Sequence, residues 1–178
     1  MVLTIDIGNT TIGIGGFQGN KLLFIEKISS RRPLSDAGYI EKLNMILNKH
    51  GLSAEAFEGS MISSVVPSVT AVFSSALETF LGRKPLILSH KLDLGYEICT
   101  EFPEKVGCDR LADIAGAISR YSLPFVTIDL GTATTFNVLD ENRRFLGGLI
   151  LPGVGTAHRA LLGKTAQLPK GDIHMPAH

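Results

Sequence analysis

Apolar and polar residues along the chain alternate between the two-residue period of strands and the 3.6-residue period of helices. Val2 to Ile7 is a short β-branched run closed by Gly-Asn-Thr-Thr, Ile12 to Phe17 alternates glycine with apolar residues, and Lys21 to Ile28 follows Gln-Gly-Asn. Those three runs predict an antiparallel meander. Tyr39, Ile40, Leu43, Ile46 and Leu47 keep helical spacing until Gly51, which predicts a helix over Tyr39 to His50. Met61 to Val66 reads as a buried strand stopped by Pro67, Val69 to Leu81 as a helix ended by Gly82, and Pro85 to Leu88 as a strand. Lys91 to Val106 has no period and contains Gly95 and Pro103, so a connector is expected there. Leu111, Ile114, Ala115 and Ile118 predict a helix over Asp109 to Tyr121, and Pro124 ends it. Strands are expected at Phe125 to Leu130, Thr134 to Leu139 and Phe145 to Leu151, then a helix over Ala157 to Ala166 and a polar Gly/Pro tail.

Strands followed by helices, with hairpins opening each half, predict an α/β fold. An internal echo sharpens this. Thr4-Ile-Asp-Ile-Gly-Asn-Thr-Thr11 and Thr127-Ile-Asp-Leu-Gly-Thr-Ala-Thr-Thr135 share Thr-Ile-Asp, an aliphatic residue, glycine and a hydroxyl cluster. Each closes a strand and opens a hairpin, so a duplicated domain is expected, with its boundary near Ser122 to Pro124. This divides the chain into residues 1–123 and 124–178.

Composition narrows the function. The 178 residues carry 17 Lys+Arg against 17 Asp+Glu, with 44% apolar residues and no Trp. That fits a folded domain and speaks against a protein built to hold a nucleic-acid backbone, which needs a positive excess. No window approaches eighteen uninterrupted apolar residues, and Met1 to Asp6 meets a carboxylate with no basic lead-in. Neither a membrane span nor a secretory signal is therefore expected. Cys99 and Cys108 then read as reduced thiols in a cytoplasmic protein.

The echoed turn has a chemistry of its own. Glycine lets the backbone bend and brings N–H groups close to an anion, while the Asn9 amide and the hydroxyls of Thr10, Thr11, Thr132 and Thr135 can donate to phosphate oxygens. A carboxylate would repel a phosphate, so Asp6 and Asp129 make sense there only with a cation between. Either turn alone is also a good plain hairpin, and the repetition is what favours a phosphate clamp. No Walker A loop is present, and Gly13, Gly15 and Gly16 follow a hairpin rather than open a helix, which excludes a dinucleotide fingerprint.

Gly107-Cys-Asp-Arg110 stands at a predicted helix start. Asp109 there is either a plain N-cap or a group placed to take a proton from a substrate hydroxyl, with Arg110 and helix N–H groups holding an anion. Gly147-Gly-Leu-Ile-Leu-Pro-Gly153 is a strand whose glycines either admit a ligand or finish the strand. His50, His90, His158, His174 and His178 show no metal-ligand spacing, and Arg31-Arg32 reads as a solvated loop.

Taken together, Asp6-Ile-Gly-Asn-Thr10, Ser63-Ser-Val-Val-Pro67, Gly107-Cys-Asp-Arg110, Asp129-Leu-Gly-Thr-Ala-Thr-Thr-Phe136, Gly147 to Gly153 and Thr165-Ala-Gln-Leu-Pro169 resemble the type III pantothenate kinases, also known as Bvg accessory factor-like proteins. The resemblance implies an actin/Hsp70/sugar-kinase (ribonuclease H-like) fold of two related α/β domains with ATP between them. It implies phosphorylation of pantothenate, the first step toward coenzyme A, with Mg²⁺ and a monovalent cation, K⁺ or NH₄⁺, in a homodimer. Carried over by position, Asp6, Ile7, Gly8, Asn9, Thr10, Thr11, Ile12 and Gly13 would contact ATP, as would Thr132, with Asp6 also serving Mg²⁺. Gly107, Cys108, Asp109 and Arg110 would contact pantothenate, with Asp109 as general base, and Asp129 would bind the monovalent cation. Where many members have a substrate-contacting tyrosine this chain has Thr100, the nearest tyrosine being Tyr96. Members usually continue for some tens of residues further, so the second domain is expected to be incomplete.

Two other readings share that fold. A nucleotide-binding regulator without catalysis, or an inactive fragment of the kinase, would bind ATP and release no ADP on adding pantothenate. A phosphatase of the same superfamily would release phosphate without pantothenate, and the Gly-Cys-Asp-Arg match speaks against it.

Overall fold

A computed structural model describes residues 1–165, and its backbone contacts separate into two units. The first comprises Met1–Asp93 with Glu104–Ala112, and the second comprises Leu94–Pro103 with the chain from Asp113 onward. The helix expected to run to Ala166 ends within the described residues, whereas the tail, most of the Thr165–Pro169 motif, His174 and His178 lie outside them.

In the first unit, β1 (Val2–Ile7), β2 (Thr11–Gln18) and β3 (Lys21–Ser29) form the expected antiparallel meander. Strands β4 (Gly59–Ser64) and β5 (Leu86–Ile87) extend it in parallel on the other side of β1, giving the order β3-β2-β1-β4-β5. The period-two pattern decides which face is covered. Leu3, Ile5, Ile7, Ile12, Ile14 and Ile62 all lie on one face and are buried with Tyr39, Leu43 and Leu47 of α1 (Asp36–Lys49) and Phe73 and Leu77 of α2 (Pro67–Leu81). The rings of Tyr39 and Phe73 meet at 4.5 Å, tilted by 42°. On the opposite face stand Thr4, Asp6, Gly13, Gly15, Lys27, Met61 and Ser63, by the register of the same strands.

Local chemistry sets the helix ends. The Ser35 hydroxyl accepts from the Gly38 N–H at 3.3 Å at the start of α1, three residues before the periodic pattern becomes visible. β4 stops at Ser64 rather than Val66, because the Ser64 hydroxyl accepts from the Val66 N–H at 3.0 Å and from the Thr70 hydroxyl at 2.6 Å. Pro67 then occupies the first turn of α2, and Gly82 ends it with φ of 68°, a left-handed conformation that suits glycine.

In the second unit, β7 (Phe125–Leu130), β8 (Ala133–Leu139) and β9 (Arg144–Pro152) are antiparallel. Two residues of the supposed connector, Glu97–Ile98, form β6 and pair in parallel with β9. A two-residue strand shows no period, which is why the sequence does not announce it. Helix α3 (Cys108–Ile118) begins one residue before the expected start, and α4 (Val154–Lys164) begins three residues before it, straight after Gly153. Among the described residues no helix is long and apolar enough to cross a membrane, and Cys99 and Cys108 are both free thiols.

The β8–β9 turn is locked by Asp140. Its carboxylate accepts from the N–H groups of Asn142 (3.0 Å) and Arg144 (2.8 Å) and from the Arg144 Nε (2.7 Å). Burial pushes this carboxyl up, but the bonds from Arg144 and Asn142 and the Arg144 charge outweigh it, so it settles below its ordinary value. A carboxyl that is more acidic folded than unfolded contributes stability above its unfolded value, about 4, and loses that contribution as pH falls through the folded one. Thermal melts of the chain should therefore drop as pH falls below about 4, and Asp140→Asn should show a smaller drop over that window. Parallel melting curves for the two proteins would contradict this role.

Candidate functional site

The β1–β2 turn is compact. The Gly8 N–H donates to the Thr11 carbonyl at 2.9 Å, and the Ser30 N–H donates to the Thr10 carbonyl at 3.1 Å, tying the turn to the end of β3. Ile7 and Ile12, both fully buried, anchor its two ends in the core, so only their main-chain groups can serve a ligand. Asn9 and Thr11 are exposed, and Gly8, Thr10 and Gly13 are half-buried. Asp6 stands across from Gly13 on β2 and beside Ser63 on β4. Asp6, Thr11, Gly13, Lys27, Ser63 and Ala112 lie along one groove of about 550 Å³ on the open face of the sheet. Glycine at 13 keeps that face clear between Asp6 and Lys27, its two cross-strand neighbours.

Gly107, Cys108, Asp109 and Arg110 are all half-buried at the start of α3. Asp109 lies inside the first turn instead of capping it from outside, and its carboxylate bends back to accept from the Arg110 N–H at 2.8 Å. The bent carboxylate explains Gly107: a Cβ there would collide with Asp109 Oδ1. A negative side chain in a first turn is also favoured by the helix dipole, and first-turn N–H groups without intrahelical partners can hold an anion. Ala112 lies one helical turn beyond Asp109, so the residue three places on from the candidate base lines the groove. The Cys108 side chain is engaged elsewhere, which leaves its main-chain N–H for a ligand. Its thiol donates to the Leu88 carbonyl at 3.1 Å, and burial, with the Asp109 charge behind it, pushes the thiol above its ordinary value despite a bond from the Ser64 backbone.

The second unit carries the echoed turn. The Gly131 N–H donates to the Ala133 carbonyl at 2.9 Å, and Asp129 faces Thr135 across β7 and β8. This hairpin leaves two residues between its strands where the first leaves three. The Thr132 carbonyl accepts from the Gly153 N–H at 3.0 Å and from the Thr156 hydroxyl at 2.8 Å, so the end of β9 and the start of α4 grip the turn. Asp129 and Thr132 are exposed, whereas Thr135 is buried and the Asn137 amide donates to the Thr127 hydroxyl at 2.9 Å.

Thr100 is half-buried against Gly147, and its hydroxyl is enclosed with no hydrogen-bond partner. Tyr96 is half-buried as well, and burial raises its phenol above the ordinary value. Two participants were not singled out by the sequence. Ser63 entered only as part of a strand motif, and Gly153 only as a strand end. The signal for Ser63 was its place two residues ahead of a strand-to-helix junction, on the face that alternation leaves open. Among the described residues no group of three His, Cys, Asp or Glu side chains could hold a metal, and Mg²⁺ in phosphoryl-transfer sites needs only one or two carboxylates.

Comparison with known proteins gives the family. Residues 2–178 match the family profile described as type III pantothenate kinase. A type III pantothenate kinase of Bifidobacterium animalis subsp. lactis is 40% identical over 176 residues, covering 99% of this chain and 70% of the relative. That of Finegoldia magna is 36% identical, covering 99% of this chain and 67% of its own length. The fold resembles a solved Campylobacter jejuni structure described as a conserved Baf family transcriptional activator, with a TM-score of 0.55 at 17% identity over 99% of this chain and 67% of that one. The mixed α/β fold is thus that of the Campylobacter jejuni protein, and the chain belongs to the type III pantothenate kinase family.

Proposed function

We propose that this chain carries the machinery for ATP-dependent phosphorylation of pantothenate, the first step of coenzyme A synthesis. The observation that supports this best is Asp109. Its carboxylate is bent over Gly107, where a Cβ would meet it, at a helix start rich in N–H donors, one turn before a groove that Asp6, Thr11 and Gly13 also line. In this reading Asp109 takes the proton of the pantothenate hydroxyl, whose oxygen then forms a bond to the γ-phosphorus as the bond to the β-phosphate oxygen breaks and ADP leaves. Arg110, Gly107, Cys108 and the N–H groups of α3 hold the anionic substrate, with Thr100 as a further contact. Asp6, the turn through Gly13, and Thr132 position the phosphates. Mg²⁺, held through Asp6, supplies charge neutralisation when bound.

The same reading assigns Asp129 to a monovalent cation, K⁺ or NH₄⁺. It treats residues 1–123 and 124–178 as two related domains, the second incomplete, and the working form as a cytoplasmic homodimer. The neutral charge balance fits small-molecule substrates rather than nucleic acid.

The test is ADP release by the 178-residue chain with Mg²⁺-ATP and K⁺, with and without pantothenate. Release that depends on pantothenate is the expected result. Release without it would favour hydrolysis. ATP binding with no release in either case would favour a nucleotide-binding regulator or an inactive fragment.

A further inference from the structure

The Ser63 hydroxyl is out of place as a purely structural group. Ser63 is only 8% exposed, and its Oγ is enclosed with no hydrogen-bond partner. Buried hydroxyls nearly always have one, because leaving a polar group unpaired away from water is unfavourable. Alanine or valine would fill the same strand position without that penalty, so a serine here needs a reason. Its surroundings supply one. Ser63 sits at the C-terminal end of β4, beside Asp6 on the parallel neighbour β1, and both line the groove. A carboxylate and a hydroxyl on adjacent strands, at the edge of a phosphate turn, form a hard-oxygen donor pair of the kind Mg²⁺ accepts while keeping most of its waters.

We infer that Ser63 is a further Mg²⁺-holding residue, acting with Asp6 on the divalent cation or on a water bound to it. This rests on the reading of the β1–β2 turn as an ATP-phosphate site. The neighbouring hydroxyls are already committed: Thr4 donates to the Gly15 carbonyl, and Ser64 accepts at the start of α2. Ser63 is the one hydroxyl beside Asp6 in this register that the fold leaves for a ligand.

The probe is Mn²⁺, followed by electron paramagnetic resonance with the full chain and ADP, beside ADP binding measured without metal. Ser63→Ala should weaken Mn²⁺ binding roughly 10- to 100-fold, the usual effect of losing a supporting group around a metal. Metal-free ADP binding should stay unchanged, and Ser63→Thr, which keeps the hydroxyl, should restore most of the Mn²⁺ affinity. Because the hydroxyl has no partner to lose, the melting temperature of Ser63→Ala should not fall. Mn²⁺ bound equally well by Ser63→Ala overturns the inference while leaving the kinase reading intact. Wild-type chain that binds neither ADP nor Mn²⁺ overturns both.

Discussion

Asp109→Asn is expected to lower kcat about 10²- to 10⁴-fold, the usual worth of a general base. Asparagine keeps the side-chain shape and can still offer an oxygen to the Arg110 N–H, which the carboxylate now accepts at 2.8 Å. The first turn of α3 should therefore survive, and with it the room that Gly107 leaves for a bent side chain. What disappears is the capacity to accept a proton. Steady-state kinetics should show kcat falling while KM for ATP stays within a few-fold, since no ATP contact is assigned to this residue. Circular dichroism would establish that the helix is intact. A variant with near-normal kcat would reduce Asp109 to a helix-stabilising first-turn acid. A rise in the KM for ATP at unchanged kcat would move it to the phosphate site.

Much of this arrangement was legible in the sequence because it depends on local patterns. Short apolar and β-branched runs gave β1 to β4, and the structure adds which face is covered, with Leu3, Ile5 and Ile7 buried and Thr4 and Asp6 on the other side. The echo of Thr-Ile-Asp located both turns, and helical spacing located α1, α2 and α3 to within a few residues at their ends. What stayed hidden depends on contacts across long sequence distances. β6 exists only because Glu97 and Ile98 meet Arg144 and Phe145, a pairing two residues cannot advertise. The start of α4 was missed because Val154, Gly155 and Thr156 look like the end of a glycine-rich strand, and the Thr156 hydroxyl that grips the Thr132 carbonyl is visible only in three dimensions. Ser63 looked like ordinary strand filler until its hydroxyl proved to be buried without a partner. The two hairpins differ in loop length although their sequences echo, because the closing bond runs from Gly8 to Thr11 in one and from Gly131 to Ala133 in the other.

Gly153→Ala should be the most damaging substitution in the second unit, although it adds a single methyl group. A Cβ at this position would collide with the Gly131 carbonyl oxygen and come within 2.8 Å of the Thr132 carbonyl oxygen. Both obstacles are backbone, so neither can rotate aside as a flexible side chain would. Either the β7–β8 turn or the junction of β9 and α4 must move, which breaks or stretches the bond from the Gly153 N–H to the Thr132 carbonyl, now 3.0 Å. Forcing a group into a full space typically costs about 1–3 kcal/mol. For a two-state unit of this size that corresponds to a melting temperature lower by roughly 4 to 20 °C. The functional effect should be larger. Thr132, the proposed ATP contact, sits in the turn that has to shift, and misplacement of a positioning group by about 1 Å can cost around 10²-fold in rate. The expected signature is therefore a raised KM for ATP together with a lower kcat, at a temperature where the variant is still folded. Gly163→Ala is the control, since a Cβ there meets nothing within 4 Å, and it should melt and turn over close to wild type. If Gly153→Ala melts and binds ATP as the control does, the end of β9 does not hold the second turn in place, and the role assigned to that strand end is wrong.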